Sequence, residues 1–302
     1  MVLITGATGY IGSRLVKKLV EDGHNVRAMV VENDPFMDRL EGLDCEIVRG
    51  DITRRGTLKP CLEGVKTVVH LAAVLVSGDP ELFHKINYEG TKNVVDTAVE
   101  MGVEHFIFIS AAAAVYRVPT TYGKSKVKSE ALMKKRGNTN FTIIRPTLLY
   151  GSGGSQELKI YVENLRKFPL IVPMVGTGKA RKRPVWVGDI VNGLSLLVNK
   201  PVTYGKIYNF SGATDVSMWE YTKLICRTFG IHRPMIPIPV CLCYAIAAVW
   251  KLFATTPPLR RDLILGVIMN ANNSYQEAHD DIGYQPVDLY EKFAESFRDQ
   301  GL

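Results

Sequence analysis

Val2-Leu3-Ile4-Thr5-Gly6-Ala7-Thr8-Gly9-Tyr10-Ile11-Gly12 is the stretch that decides the fold. Val2–Thr5 reads as a buried strand, and three glycines spaced Gly-x-x-Gly-x-x-Gly carry the chain out of it. Beyond the turn, Ile11, Leu15, Val16 and Leu19 recur at helical spacing until Gly23 stops the helix. Strand, glycine turn and helix in that order make a phosphate-binding corner. The glycines let a backbone approach a pyrophosphate, and the helix start offers unpaired N–H groups and a positive dipole end. A merely structural turn is the competing reading, and the position directly after the first strand argues against it.

Working outward, apolar runs at 25–31, 45–49, 67–71, 106–110 and 141–145 alternate with helical stretches, the longest spanning 80–101. Short apolar strands alternating with helices predict a parallel sheet covered on both faces, a doubly wound α/β fold of Rossmann type. Residues 1–150 form the expected dinucleotide domain. After Gly151-Ser152-Gly153-Gly154 the rhythm changes. Residues 151–302 are expected to form a smaller, mainly helical substrate lobe, with a strand at 206–210 and helices at 218–229, 240–253 and 259–269. The chain is allowed to cross back into the first domain.

The composition, 46% hydrophobic and 22% charged, is that of an ordinary globular protein. No basic-then-apolar leader is read at the start, and the five cysteines show no Cys-x-x-Cys spacing. A reducing cytoplasmic setting is therefore expected, without a disulfide framework or a metal site. The run 240–253 is too short to span a bilayer and is read as a buried helix, a membrane-surface helix being the less favoured alternative. A net charge of +7 with no nucleic-acid module points to no nucleic-acid partner. The basic cluster 124–136, which includes Glu130, is read as a solvated helix face. A small-molecule substrate is the expected partner, and a homodimer is left open.

The glycine turn resembles that of the extended short-chain dehydrogenase/reductase superfamily, and further matches run through most of the chain. Gly50-Asp51-Ile52 is similar to the family's adenine-contacting carboxylate and its neighbour. His70-Leu71-Ala72-Ala73 is similar to the stretch lining the cofactor, and Asn87 matches a structural asparagine on the long helix. The resemblance implies NAD or NADP bound by Gly6, Gly9, Tyr10, Ile11, Gly12, Glu32, Asp51, Ile52, Leu71, Ala72, Ala73, Asn87, Ser110, Tyr122, Lys126, Pro146 and Leu148. Glu32 near the tip of the second strand, with no arginine from 28 to 38, leans towards NAD.

Tyr122-Gly123-Lys124-Ser125-Lys126 places Tyr and Lys one turn apart on one helix face. A free phenol ionises near ~10, and an adjacent cation is expected to lower that value, suiting the tyrosine to acid–base work beside a nicotinamide. The family's third member is a Ser or Thr that bonds the substrate oxygen, and its usual place is held here by Ala112. Ser110, Thr120 or Thr121 is left to substitute, so the catalytic set is read as Tyr122, Lys126 and Ser110.

Arg145-Pro146-Thr147-Leu148-Leu149-Tyr150-Gly151 carries Leu148 where nucleotide-sugar epimerases and dehydratases have an asparagine. A leucine there suits an apolar substrate, although Lys182 and Arg183 could still hold a phosphate. Ile236-Pro237-Ile238-Pro239, the apolar run after it, and Ile282-Gly283-Tyr284-Gln285-Pro286 resemble the 3β-hydroxysteroid dehydrogenase and dihydroflavonol reductase branch. The expected activity is hydride transfer between nicotinamide and a secondary alcohol or ketone of a sterol-, flavonoid- or acyl-like substrate. The alternatives are a nucleotide-sugar epimerase/dehydratase and a non-catalytic NAD(P)H-binding scaffold.

Overall fold

The computed structural model describes residues 1–135, 140–153, 156–250 and 259–298. Its centre is a seven-stranded parallel sheet. Six strands fall where the apolar runs predict: β1 (Val2–Thr5), β2 (Val26–Val30), β3 (Glu46–Arg49), β4 (Thr67–His70), β5 (His105–Ile109) and β6 (Asn140–Pro146). Further along the chain come a short strand β7 (Val172–Val175), then β8 (Ile207–Phe210) and β9 (Met235–Ile238). The strand order is β8-β6-β5-β4-β1-β2-β3. The order reverses at β1, so the crevice at the strand ends opens beside the glycine turn, where doubly wound sheets bind ligands. Strand β8, from the second half of the chain, crosses back and pairs with β6 as the seventh strand of the sheet.

Alternate side chains of each strand feed two cores, as a sheet buried on both faces requires. Ile4, Ala28 and Ile107 pack with α1 (Gly12–Glu21) and with the helix Val187–Leu197 on one face. Leu3, Met29, Phe106 and Phe108 pack with the long helix α2 on the other. Helix α2 begins at Pro80–Leu82, widens into π-type bonding over Phe83–Gly90 and closes as Thr91–Glu100. Helix α3 (Thr121–Lys134) lies alongside it. A third core, holding Tyr150, Leu158, Val172, Met174, Tyr221, Ile225 and Phe293, joins α4 (Gln156–Arg166), β7, α5 (Met218–Thr228) and the helix Leu289–Glu295.

Two expectations about burial reverse. Helix α6 (Val240–Trp250) is not a buried helix: Cys243 is its one buried residue, and Leu242 and Val249 are 48% and 54% exposed. The remainder of that predicted run, 251–253, lies outside the described residues. Nor is the basic cluster on α3 a solvated face throughout, because Lys126 and Glu130 are only 3% and 4% exposed. Among the described residues no helix is long and apolar enough to cross a membrane, no cluster of metal-ligating side chains occurs, and all five cysteines are free.

Candidate active site

The corner after β1 has the close packing that its glycines predict. Gly6 has φ +68°, and a Cβ on it would come within 2.9 Å of the Ala72 amide nitrogen. A Cβ on Gly12 would lie 2.1 Å from the Gly6 carbonyl oxygen. The Gly9 amide donates to that same oxygen at 3.0 Å, leaving a side-chain-free cradle ahead of α1. Tyr10 lies at the edge of the cradle, with the Arg14 guanidinium 4.6 Å from its ring centre. Arg14 donates onward to the Ser152 carbonyl. Ile11 is half-buried against the core.

The remaining predicted cofactor residues follow the strand ends. Leu71 and Ala72 donate their amides to the backbone oxygen and hydroxyl of Thr5, which brings the β4 end, with Ala73 next in line, against the turn. Behind them His70 is clamped between the Thr5 and Thr91 hydroxyls, and burial lowers its pKa to about 3. Asp51 accepts from the Thr53 amide and hydroxyl in a tight turn after β3, and Ile52 beside it is buried beneath Gly90. Glu32, just past β2, is exposed and faces Arg49 at 3.5 Å. Two residues missed from the sequence stand closer to the cradle. Asp34 accepts from the Thr8 hydroxyl at 2.8 Å, and Arg39 donates to the Thr8 carbonyl at 2.9 Å. Arg39 directly follows the arginine-free run 28–38.

Tyr122 and Lys126 stand on α3, and neighbouring contacts hold that helix beside the end of β5. Thr120 caps it by accepting from the Gly123 amide. Asn87, fully buried on α2, bonds both backbone groups of Val74 and donates to the Ser125 hydroxyl, and Ser129 donates to the Asn87 carbonyl. Lys126 Nζ donates to the Ile109 carbonyl at 2.7 Å, lying 4.7 Å from the Phe108 ring centre and 5.6 Å from that of Tyr122. Burial lowers its pKa to about 7, partly opposed by Glu130.

The Tyr122 phenol departs from expectation, because its pKa is pushed up by burial and by the carboxylate of Glu157. Lys126 Nζ is held against the end of β5 behind the ring. Glu157, in the first turn of α4, also pushes Tyr116 up to about 12, where burial is the larger cause. Nothing in the sequence flagged Glu157, since no periodicity ties α4 to the crevice.

Ser110 is placed behind the site. It is 2% exposed, and its hydroxyl donates to Glu130 Oε1 at 2.5 Å. Arg145 closes on the same carboxylate with two bonds of 2.9 and 2.6 Å. The Ser110 proton is thus committed inward, away from any substrate oxygen. Glu130 had a usable signal in the sequence, because Tyr122, Lys126 and Glu130 stand at i, i+4 and i+8 on one helix face. Pro146 ends β6 and Leu148 is half-buried just beyond it. Lys182 and Arg183, entertained as phosphate ligands, are turned inward. Lys182 is fully buried and donates to the carbonyls of Gly266 and Met269, and Arg183 donates to Ala213.

A glycine cradle at the switch point of a parallel sheet, with a Tyr–Lys pair beside the end of β5, defines a dinucleotide-dependent enzyme of the doubly wound class. The family model of the NAD dependent epimerase/dehydratase family matches residues 2–210, and the chain belongs to that family. It is 26% identical to human sterol-4-alpha-carboxylate 3-dehydrogenase, decarboxylating, over 98% of this chain and 87% of that one. It is 30% identical to a ceramide reductase of Caulobacter vibrioides over 85% of this chain and 80% of the relative. Among solved structures, the protein gox2253 superposes with a TM-score of 0.81 at 26% identity, covering 100% of this chain and 98% of that one.

Proposed function

We propose that this chain is an NAD(P)-dependent oxidoreductase acting on a secondary alcohol or ketone of a largely apolar substrate, with Tyr122 as the proton-transferring group. The reading is supported by the cradle of Gly6, Gly9 and Gly12 after β1 and by Tyr122 over buried Lys126, which bonds the end of β5 two strands along the same parallel sheet. A nicotinamide dinucleotide bound there supplies or accepts the hydride. The cradle and the α1 start would hold its pyrophosphate, and the acidic Glu32 and Asp34 near the β2 tip favour the ribose hydroxyls of NAD. Tyr122, kept protonated by its surroundings, gives its proton to a ketone oxygen as that oxygen gains charge, or takes one back from an alcohol. Lys126, a cation when protonated, donates to the Ile109 carbonyl behind the ring, and Asn87 fixes the helix that carries both.

Leu148 supports an apolar substrate, as do relatives named for sterol, hydroxysteroid and ceramide chemistry. The organisation proposed is a dinucleotide domain over 1–150 and a substrate lobe from 151 onward, acting in a reducing cytoplasm. The test is hydride transfer followed by nicotinamide absorbance across sterol-like, long-chain and nucleotide-sugar substrates. Tyr122→Phe abolishes turnover while cofactor still binds. Ala112→Ser, supplying a donor at the place where the family keeps one, raises kcat roughly tenfold to a hundredfold with little change in KM. A nucleotide sugar that turns over fastest overturns the substrate class. Cofactor binding without turnover of any alcohol or ketone points to the scaffold alternative.

A further inference from the structure

We infer that α6, together with strand β9 before it, is a docking face for the surface of an anionic lipid bilayer. The observations are independent of the crevice, so this inference and the proposed chemistry stand or fall separately.

Helix α6 reads Val-Cys-Leu-Cys-Tyr-Ala-Ile-Ala-Ala-Val-Trp and carries no charged side chain, yet Cys243 alone on it is buried. A helix at a water surface ordinarily turns a polar face outward. The apolar surface continues along β9, where Ile236 is 40% exposed. It reaches the loop before β7, where Phe168 and Leu170 are 39% and 80% exposed. The parallel pairing of β9 with β7 joins these parts, and Arg233 ties the loop down by donating to the Phe168 carbonyl.

Charge identifies the occupant. Residues 164–183 and 221–250, the two stretches joined by that pairing, contain no aspartate or glutamate and nine lysines and arginines, of which Lys182 is buried and Arg181 is paired with Asp215 and Glu220 from outside them. The remainder of the chain is net negative, since the whole carries only +7. At the start of β9 a cleft of about 330 Å³ is lined by Lys223, Arg227, His232 and Arg233 with Trp219, and no carboxylate enters it. At the far end, where β9 runs into α6, a second cleft of about 460 Å³ is lined by Val175, Pro237, Val240, Val267 and Ile268. Basic and apolar clefts thus lie at the two ends of a four-residue strand, roughly 10 Å apart by strand rise.

Phosphate headgroups above and acyl chains below present the complementary pattern, and exposed Arg166, Lys167 and Lys179 extend the basic rim. The eleven residues of α6 span about 16 Å, half of a hydrocarbon core, so the helix lies on the bilayer and does not cross it. A second copy is disfavoured, because a two-fold contact through this face would set one basic rim against another.

Flotation of the full chain with vesicles tests the inference. Binding is expected to vesicles of equal parts phosphatidylcholine and phosphatidylglycerol, to weaken with added salt, and to be much lower on phosphatidylcholine alone. Replacing Lys223 and Arg227 together with alanine lowers partitioning roughly thirtyfold, from the usual contribution of a cation near an anionic surface. Leu242→Glu lowers it about tenfold. Leu242 is exposed, so its circular dichroism and melting temperature stay unchanged. Lys223→Arg retains binding. Equal binding to neutral vesicles, partitioning that none of these variants moves, or tighter binding to duplex DNA than to anionic vesicles overturns the inference. So does a concentration-dependent dimer in sedimentation velocity that Leu242→Glu dissolves.

Discussion

Replacing Glu130 with glutamine should be among the most destabilising single-atom changes available to this chain. The carboxylate is 4% exposed and accepts three bonds: from Ser110 at 2.5 Å and from Arg145 at 2.9 and 2.6 Å. Glutamine keeps the shape but turns one acceptor into a donor aimed at other donors. It also leaves the Arg145 guanidinium, whose side chain is only 18% exposed, without its counter-charge. Breaking a buried pair from one side costs about 3–5 kcal/mol, a fall on the order of 10 °C in Tm for a chain of this size. Ser110→Ala, which keeps the ion pair and removes one bond to it, should cost about 1.5–3 kcal/mol. Methionine at both 130 and 145 should recover most of the loss, since neither charge is then stranded. Urea unfolding at neutral pH gives all three values. A Glu130→Gln loss under about 1 kcal/mol, or a double variant worse than the single one, refutes the view that this pair is the buried brace of the site.

Two further outcomes follow from the geometry. Gly12→Ala puts a Cβ 2.1 Å from the Gly6 carbonyl oxygen. It should abolish NAD binding by calorimetry, while Gly23→Ala, at a turn where a Cβ meets nothing but where φ is +80°, weakens stability and leaves binding intact. In acid, buried His70 and His105 have pKa values lowered to about 3 and about 4, so below 6.5 the unfolded chain takes up protons that the folded chain refuses. Stability should therefore fall as pH drops from 6.5 towards 4, by about 1.4 kcal/mol per pH unit for each proton. Asp189, raised to about 6 by burial, opposes this, because it holds a proton in the folded state that the unfolded chain has lost. His105→Gln, measured by urea unfolding across that range, should flatten the slope, and an unchanged slope refutes the assignment.

The sheet was legible because its signals are local. Strands β1 to β6 are short apolar runs bounded by glycine or polar turns, and the glycine turn fixes where the sheet meets a ligand. Strand β8 carries the same kind of run, yet its partner β6 lies some sixty residues earlier, and periodicity does not state pairing. Helix α6 misled for a related reason. An apolar run reports that water is avoided but not what replaces the water, and a core helix and an interfacial helix share that pattern. Lys126 and Glu130 sit in a charged stretch that reads as surface. The burial of Glu130 is offset by Arg145, which arrives from β6, and Lys126 is bonded by the Ile109 carbonyl at the end of β5.

That arrangement changes what Ser110 is for. Read as a catalytic hydroxyl, it belongs in front of the tyrosine; in the folded chain it stands at the end of β5 with its proton given to Glu130. The preceding residue, Ile109, gives its carbonyl to Lys126 Nζ. Two consecutive residues of one strand end thus fix two positions on the α3 face, one by accepting from the lysine and one by donating to the glutamate. Lys126 and Glu130 cannot slide relative to β5 without losing both bonds, so the placement of Tyr122, one turn earlier on the same face, is set by the strand and not by the helix alone. No bond of this brace passes through residue 112, so the departure at Ala112 leaves the scaffold that holds the tyrosine intact.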